Sequence, residues 1–382
     1  MLVFGTSLTA AALAYTVIAC VAALRRHNID PPRGPRLLRP VTVLKPLCGA
    51  EPELAHCLRS FCEQDYPGLQ IVFGVHDPAD PALAVVADLE RAFPHVEMAV
   101  VADPRRHGHS AKVSNLINMM GSARNDWLVL ADSDVSVAPG YLAEVCAPLA
   151  DPGVGIVTCA YRGRPVHRER GTRVWSLLGA LFVNDWFMPS VWVAALFGSR
   201  DFAFGATIAL RRETLESIGG LRAIANQLAD DYRLGELTRR RGLRTVLSQV
   251  LVETTIDERT LRQLVRHETR WLRTIRAVRP GGYAAAAVTF GLPLALLGCA
   301  LAAAAPVALG LLIATAAARV MLHFAAGTRQ GAPAGAWRHL WALPASDLLG
   351  FALWCWGFAA REVQWREERY RVARDGSARP IT

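Results

Sequence analysis

The sequence lacks the short motifs that would place it at once in a common class of enzyme or metal protein. Its eight cysteines form no CxxC pair and no Cys/His spacing typical of zinc, which argues against a structural zinc site and fits a reducing cytosol. Neither a Walker A sequence nor a GxGxxG fingerprint follows a predicted strand, which argues against P-loop enzymes and ordinary NAD-binding folds. No nucleic-acid-binding motif accompanies the formal net charge of +9, so we expect no nucleic-acid partner.

Lysine is almost missing as well. Of the 42 Lys and Arg residues, only Lys45 and Lys112 are lysine. An ammonium is a compact point charge, whereas a guanidinium is planar and carries five donors. In a chain that otherwise uses arginine, these two positions are therefore candidates for sites that need an ammonium.

Charge is absent from the beginning of the chain. Residues 2–24 contain no charged side chain, and about 20 apolar residues suffice to cross a bilayer. The stretch has no basic n-region and no small-residue cleavage site, so we predict an anchor over residues 1–25 and not a cleaved signal peptide. Arg25 and Arg26 follow directly, which predicts that this end of the anchor faces the cytosol.

Two later regions are also apolar. Residues 174–197 contain Asp185, whose burial in lipid would cost roughly a few kcal/mol, so this segment is predicted to dip into the membrane without crossing it. Residues 283–360 form a predicted C-terminal transmembrane region with a turn near Pro306, followed by a basic tail, residues 361–382. Three crossings there would put the tail outside, against the positive-inside rule, so the last apolar segment is predicted to be re-entrant or interfacial.

Between the apolar regions, strands alternate with helices. Continuous apolar strands end near residues 46, 75, 102 and 131, and helical spacing lies between them at residues 51–64, 81–93 and 110–122. This alternation predicts an α/β domain with a mainly parallel sheet covered on both faces. Ligands bind such sheets beyond the carboxyl ends of the strands. Asp77, Asp132 and Asp134 each lie just past such an end, so we expect them to share a crevice.

Asp132 and Asp134 are one residue apart in "WLVLADSDVSV", and two carboxylates at that spacing repel each other. A hard divalent cation would satisfy both, because such ions take carboxylate oxygens and commonly keep a substrate phosphate as a further ligand. The alternative from these residues alone is an Asp turn that caps the next helix at Pro139.

Several ordered blocks carry a resemblance. They are "LKPLCGAEPELAHCLRSFCEQDYPGLQIVFGVHDPADPA", "LADSDV", "FGATIALRRETLESIGGL", "QLADDYRLGELTRRRG" and "HETRW", with "WREERYRV" near the C-terminus. Over residues 41–271 the sequence resembles the ceramide glucosyltransferase family, and is most like its bacterial branch in hopanoid biosynthesis. The resemblance implies a GT-A-type, Rossmann-like catalytic domain over residues 36–257, facing the cytosol. It also implies inverting transfer of a sugar from a UDP-sugar to a lipid hydroxyl.

The resemblance assigns the donor side residue by residue. Asp77 would contact the uridine part of the donor. Lys112 and Asn115, in "AKVSNL", match a block that lines the donor site. Asp132 and Asp134 would hold the diphosphate through Mg²⁺ or Mn²⁺.

The acceptor side is assigned in the same way. Asp231, the second acid of "ADDY", matches the general base; the alternative for Asp231 and Asp230 is a helix cap followed by an acidic first turn. Arg270 and Trp271 match the Arg-Trp of the family's (Gln/Arg)-x-x-Arg-Trp signature. His267 stands where that signature has Gln or Arg, so contacts of that position do not carry over.

Residues 258–280 have apolar positions at helical spacing, with arginines over much of the remaining surface. The pattern predicts an amphipathic helix in the plane of anionic lipid headgroups. The alternative is a helix whose apolar stripe packs on the protein.

These observations predict a multi-pass lipid glycosyltransferase of the bacterial inner membrane. The expected reaction transfers N-acetylglucosamine from its UDP-sugar to a hopanoid polyol of the bacteriohopanetetrol type. Ceramide glucosylation from UDP-glucose is the alternative substrate pair. A processive polysaccharide synthase or a non-enzymatic membrane protein would be a different class, and the oligomeric state is left open.

Overall fold

The computed structural model describes residues 1–26, 37–166, 169–200, 202–327, 336–359, 362–365, 368–373 and 377–380. The chain divides into two compact units, which we call the sheet unit and the helical unit. The sheet unit comprises Asp30–Val166, Arg200–Thr255 and Val372–Thr382, and the helical unit comprises Met1–Ile29, His167–Ser199 and Ile256–Arg371. Residues 167–199 thus cluster with the apolar helices, although they fall inside the continuous domain 36–257 expected from the sequence.

Helices and strands follow one another along the chain from Leu2 to Pro380. The helices are α1 Leu2–Arg25, α2 Leu54–Cys62, α3 Ala82–Ala92, α4 Ala111–Met119, α5 Tyr141–Cys146, α6 Arg170–Leu181, α7 Met188–Leu196, α8 Arg212–Ser217, α9 Asp230–Arg240, α10 Leu261–Val278, α11 Pro280–Ala285, α12 Gly291–Leu301, α13 Pro306–Gly327 and α14 Leu343–Gly357. The strands are β1 Val41–Pro46, β2 Leu69–Val75, β3 Glu97–Ala102, β4 Trp127–Ala131, β5 Val135–Ser136, β6 Val154–Pro165, β7 Thr207–Arg211, β8 Arg244–Ile256, β9 Glu362–Trp365, β10 Glu368–Val372 and β11 Ala378–Pro380.

The sheet unit is built on eight strands in the order β3-β2-β1-β4-β7-β6-β8-β5. The half formed by β3, β2, β1 and β4 is parallel, as the alternation of strands and helices predicts. Beyond β4 the pairs β4–β7, β6–β7 and β5–β8 are antiparallel, which the sequence pattern did not predict. The residues that follow β1, β2 and β4 therefore lie at the same edge of the sheet, the carboxyl edge of its parallel half.

Helix α4 lies on one face of the parallel half. Val113, Leu116 and Met119 of this helix are buried in the same core as Leu44 of β1 and Val72 of β2. Ser110 caps the helix: its Oγ accepts a hydrogen bond from the Val113 N–H at 3.2 Å. Because the cap fixes where the helix starts, it brings the second residue of α4, Lys112, to the carboxyl edge of the sheet.

The helical unit contains the candidate membrane spans. Among the described residues, three helical stretches are long and apolar enough to cross a bilayer: Leu2–Arg25, Gly171–Leu196 and Pro306–Gly327. A fourth candidate is Pro280–Thr289 with Gly291–Leu301, which are bent by 69° to each other. The chain is therefore membrane-associated. Helix α14 has 15 residues and is only about 22 Å long at 1.5 Å per residue. The interfacial or re-entrant placement of this last apolar segment stays a prediction.

Asp185 does not interrupt its helix. It lies in a π-helical turn, Phe182–Phe187, between α6 and α7. Its Oδ2 accepts hydrogen bonds from Arg319 Nη1 at 3.2 Å and His323 Nδ1 at 2.6 Å. Arg319 in turn donates to both oxygens of Asp347 at 2.8 and 2.9 Å. Because the charge is paired, its burial costs far less than that of a lone carboxylate, and the segment is long enough to be a span.

Helix α10 buries its apolar stripe against protein. Leu264 packs with Leu177 and Leu181 of α6, and Leu272 packs with Phe182 and Tyr283. The structure therefore favours the packed alternative for this stripe over insertion into lipid. Strands β9, β10 and β11 form a separate three-stranded sheet in the described part of the predicted basic tail.

Helices α1 and α12 approach so closely that only glycine fits between them. A Cβ on Gly298 would lie 2.4 Å from Thr9 Oγ1 and 2.6 Å from the carbonyl oxygen of Gly5. We expect Gly298→Val to destabilise the helical unit by about 1–3 kcal/mol through overpacking, measured by thermal unfolding in detergent. Gly310→Val is the matched control, because a Cβ on Gly310 of α13 meets nothing within 4 Å. Equal melting of the two variants would contradict the close approach.

Candidate active site

The turn after β4 presents two carboxylates. The Asp132 N–H donates to the Ala206 carbonyl at 3.2 Å, and the Asp134 carbonyl accepts from the Thr255 N–H at 3.0 Å. The Asp134 side chain accepts a hydrogen bond from Thr254 Oγ1 at 2.8 Å. Helix α5 begins after Gly140 with no side-chain cap, so neither acid caps that helix, which removes the alternative left open by the sequence.

Lys112 lies between two groups of acids. Its Nζ is 2.5 Å from Asp132 Oδ1 and 3.9 Å from Asp230 Oδ2, and it donates to the Gly205 carbonyl at 3.4 Å. Burial by itself would lower the pKa of Lys112, but the Asp132 carboxylate and then Asp230 outweigh it and raise the pKa. Lys112 is therefore a fixed cation at the carboxyl edge of the sheet.

Asp231 is held by the backbone on both oxygens. Its Oδ2 accepts from the Gly205 N–H and its Oδ1 from the Tyr232 N–H, each at 2.7 Å. The Tyr232 contact is the helix-start role that the sequence left open, whereas the Gly205 contact joins two distant parts of the chain. Burial, and after it the neighbouring Asp230, raises the pKa of Asp231 to about 6. Asp231 as a whole residue is only partly buried, which leaves a side from which a hydroxyl could approach.

Lys45 lies beneath the Asp132–Asp134 turn. Its side chain is fully buried, and its Nζ donates to the Asp132 carbonyl at 2.5 Å and the Val135 carbonyl at 3.4 Å. The same ammonium is 4.0 Å from the centroid of the Phe61 ring. Burial lowers the pKa of Lys45 to about 8. Both lysines of the chain thus contact Asp132, one through the main chain and one through the side chain.

Two further residues predicted to contact the sugar donor differ in their exposure to solvent. Asp77 is exposed just past β2, and its Oδ1 accepts from the Ala79 N–H at 2.8 Å. Asn115 is buried, and its Nδ2 donates to the Gly74 carbonyl at 2.7 Å, while its Oδ1 finds no hydrogen-bond partner among the residues that the structure describes. Asn115 therefore ties α4 to β2 beneath the crevice, and its direct contact with a donor stays a prediction.

Arg270 and Trp271 belong to the helical unit. They lie on α10, where the Trp271 ring is 5.4 Å from the Phe187 ring and 5.6 Å from the His267 ring. His267 Nδ1 is 2.5 Å from Glu258 Oε1, so in this chain the position of the family's Gln or Arg is paired with an acid. The acids of the crevice lie in the sheet unit, and the catalytic role of Arg270 and Trp271 stays a prediction.

The chemistry of Asp132 and Asp134 fits a divalent cation. Burial, and after it the neighbouring Asp132, raises the pKa of Asp134, which is the environment that a bound cation would relieve. Among the residues that the structure describes, no group of three or more His, Cys, Asp or Glu side chains is arranged to hold an ion. A cation at this turn would therefore take its remaining ligands from water and a substrate phosphate, as Mg²⁺ commonly does.

Three participants in the site were not among the residues assigned to the donor or the acceptor side from the sequence. Gly205 contacts both Lys112 and Asp231, and a Cβ on it would lie 3.1 Å from Asp231 Oδ2. Thr254 bonds Asp134 from β8, which pairs with β5 next to the acidic turn. The sequence pointed to Lys45 only because lysine is so rare in this chain. The sequence signals for Gly205 and Thr254 are a single glycine before a strand and a threonine within one, and neither is specific.

Comparison with known proteins gives one family and several partial relatives. Residues 5–378 match the model of glycosyl transferase family 21. A ceramide glucosyltransferase of Komagataella phaffii is 35% identical over 107 residues, 27% of this chain and 21% of that protein. Ceramide glucosyltransferase 1 of Caenorhabditis elegans is 24% identical over 226 residues, 58% and 46% of the two chains. An N-acetylglucosaminyltransferase of Rhizobium leguminosarum bv. viciae is 24% identical over 246 residues, 61% and 55%. The matches thus span about a fifth to just over half of these relatives.

Proposed function

Because this chain belongs to glycosyl transferase family 21, we propose that it transfers a sugar, with inversion, from a UDP-sugar to the hydroxyl of a membrane lipid. The observation that carries the proposal is the crevice of the sheet unit, where Lys112 contacts Asp132 on one side and approaches Asp230 on the other, with Asp231 adjacent. An inverting transfer needs a base for the acceptor hydroxyl and positive charge beside the departing diphosphate. This crevice provides the base, Asp231, and the positive charge, Lys112, close to each other.

In the proposed reaction, Asp231 takes the proton of the lipid hydroxyl. The hydroxyl oxygen bonds the anomeric carbon of the sugar as the bond from that carbon to the diphosphate breaks. The backbone N–H groups of Gly205 and Tyr232 orient Asp231 for this role. A general base must come within about 3 Å of its proton, and the partial exposure of Asp231 allows this.

On the donor side, Lys112 supplies a fixed positive charge beside Asp132. Asp132 and Asp134 would hold Mg²⁺ or Mn²⁺, which when bound neutralises charge on the leaving diphosphate. Asp77, exposed past β2, is proposed to contact the uridine. Asn115 supports the donor site from below. Arg270 is proposed to share the stabilisation of the departing diphosphate, and Trp271 is proposed as a catalytic residue because it completes the Arg-Trp signature.

The proposed setting is the bacterial inner membrane, with several spans and the sheet unit in the cytosol. Three candidate spans support the membrane setting. Arg25 closes α1 and supports a cytosolic end for that helix. Eight free cysteines fit a reducing compartment. The surface arginines of α10 are proposed to meet anionic lipid headgroups.

For substrates, we propose UDP-N-acetylglucosamine and a hopanoid polyol of the bacteriohopanetetrol type. The Rhizobium relative, an N-acetylglucosaminyltransferase, supports this donor. The second candidate is UDP-glucose with ceramide, which the names of the yeast and nematode relatives favour. The test incubates the detergent-purified chain with each radiolabelled donor and each lipid, and identifies the products by mass spectrometry. One discrete glycolipid supports the proposal and names the pair. A polymer would indicate a processive synthase, and no product with any donor would contradict the proposal.

The pH dependence of the reaction follows from Asp231. A base is active only when ionised, and burial raises the pKa of this carboxyl to about 6. We therefore expect kcat/KM to fall about tenfold per pH unit below about pH 6, measured with saturating divalent cation. A carboxyl of ordinary pKa would keep the profile flat to about pH 4. A flat profile down to that pH would contradict the assignment of Asp231 as the base.

A further inference from the structure

The two lysines of this chain meet at one residue. Lys112 pairs with the side chain of Asp132, and Lys45 donates to its main-chain carbonyl. Every other basic residue among the 42 is arginine. The proposed reaction gives Lys112 a place in the crevice, whereas Lys45 is fully buried and donates to main-chain carbonyls.

We propose that Lys45 is the positioning residue of the Asp132–Ser133–Asp134 turn, and that its buried ammonium sets how tightly the turn binds a divalent cation together with the diphosphate of a nucleotide. The inference rests on the proposed function, because it assigns those ligands to Asp132 and Asp134. It goes beyond that function in making a residue outside the crevice control donor binding.

The geometry of the ammonium supports this role. A lysine ammonium has three N–H donors, and this one faces three partners: the carbonyls of Asp132 and Val135 and the face of Phe61. The two carbonyls bracket the acidic turn, since one belongs to its first residue and the other immediately follows its last. Holding both fixes the direction in which the two carboxylates leave the main chain.

The charge of the ammonium adds to the geometry. Two carboxylates one residue apart repel each other, and the positive charge lies directly beneath them in a buried setting where it is poorly screened. An arginine could supply the same charge, but its five donors in a planar fork would meet only two carbonyls and one ring in this pocket. We therefore expect Lys45→Arg to weaken donor binding as much as a neutral variant does.

The experiment measures UDP binding to the full-length chain in detergent, with saturating Mn²⁺, by calorimetry. Lys45→Met should weaken UDP at least about tenfold, since a hydrogen bond to a charged group contributes roughly that much, and Lys45→Arg should do the same. Mn²⁺ affinity measured at saturating UDP should fall in parallel. Binding is compared at a temperature well below the melting point of every variant, so that only folded protein is measured.

Gln70→Leu is the matched control for a purely structural effect. Gln70 is buried near the start of β2, three residues before Phe73, the partner of Lys45 in the β1–β2 pair. It bonds Thr42, Glu97 and the Ser122 carbonyl. Its loss should lower the melting temperature as much as Lys45→Met does, yet leave the Kd for UDP unchanged. A folded Lys45→Met variant with the wild-type Kd would overturn the inference, and so would a Gln70→Leu variant that lost UDP equally.

Two other outcomes are also decisive. If Lys45→Met does not fold, Lys45→Gln, which keeps an N–H donor on a side chain one bond shorter, is measured in the same way. Failure of both to fold while Gln70→Leu folds would make Lys45 a folding residue and overturn the inference. If the wild-type chain binds no UDP with Mn²⁺, the proposed function itself fails, which is distinct from an effect confined to the Lys45 variants.

Discussion

Asp231→Asn should lower turnover by roughly 10²–10⁴-fold, the usual cost of removing a general base, which corresponds to about 3–5 kcal/mol of transition-state free energy. The amide cannot take the proton of the lipid hydroxyl. It also replaces one carboxylate oxygen by an NH₂ group, whereas Gly205 and Tyr232 each aim an N–H at this side chain. UDP binding should change little, because Asp132 and Lys112 are untouched. Turnover and the Kd for UDP are measured on the same preparation.

Asp230→Asn is the matched control for Asp231→Asn. Asp230 begins the same helix and approaches Lys112 at 3.9 Å, and its side chain accepts from backbone N–H groups of its own helix start, those of Asp230 and Asp231. We expect it to lose much less turnover. If Asp231→Asn kept near-normal turnover, or lost UDP binding in proportion to turnover, the acid would be a helix-start residue or a donor ligand and not the base.

The parallel half of the sheet could be predicted because its strands are apolar throughout and separated by helices. β1, β2 and β4 are almost entirely buried, so the strand signal in the sequence is strong. The antiparallel half could not be predicted in this way. β6 and β8 are long and are mostly buried or partly buried, and an apolar pattern does not specify which distant strand becomes the partner.

Lys112, Asn115 and Asp231 were assigned through the family resemblance, whereas from the strand pattern alone site residues could be predicted only where they follow strand ends. Asp77, Asp132 and Asp134 are of this kind, since the geometry of parallel sheets brings such ends to one edge. The contact of Asp231 with Gly205, 26 residues away in the chain, depends on how loops fold back. The role of Lys45 depends on two main-chain carbonyls, which no sequence motif records.

In the helical unit, the partner of Asp185 likewise could not be predicted from the sequence. Read from the sequence alone, an acid in an apolar segment is an unpaired charge, and that reading predicts a segment that avoids crossing the membrane. Arg319 lies 134 residues further along the chain and pairs with it. Pairing at that distance removes the reason for the prediction, although the residue itself was correctly identified as unusual.

Asp134→Ala should abolish the dependence of donor binding on a divalent cation. Loss of an outer-shell partner of a metal ligand typically costs roughly 10–100-fold in metal affinity or activity, and loss of a ligand itself should exceed that. The variant should fold at least as well as the wild type, because Asp134 is a carboxyl whose pKa is raised by burial and by Asp132, so its removal relieves an unfavourable charge.

Thr254→Val is the graded control, because it deletes the hydroxyl that donates to Asp134 at 2.8 Å. Its loss of metal affinity should stay within the roughly 10–100-fold range of an outer-shell partner. UDP binding is measured for the three proteins across a Mn²⁺ titration, with EDTA as the endpoint, alongside turnover. Full wild-type turnover in EDTA, or an Asp134→Ala variant with an unchanged Mn²⁺ response, would show that the acidic turn does not hold a cation.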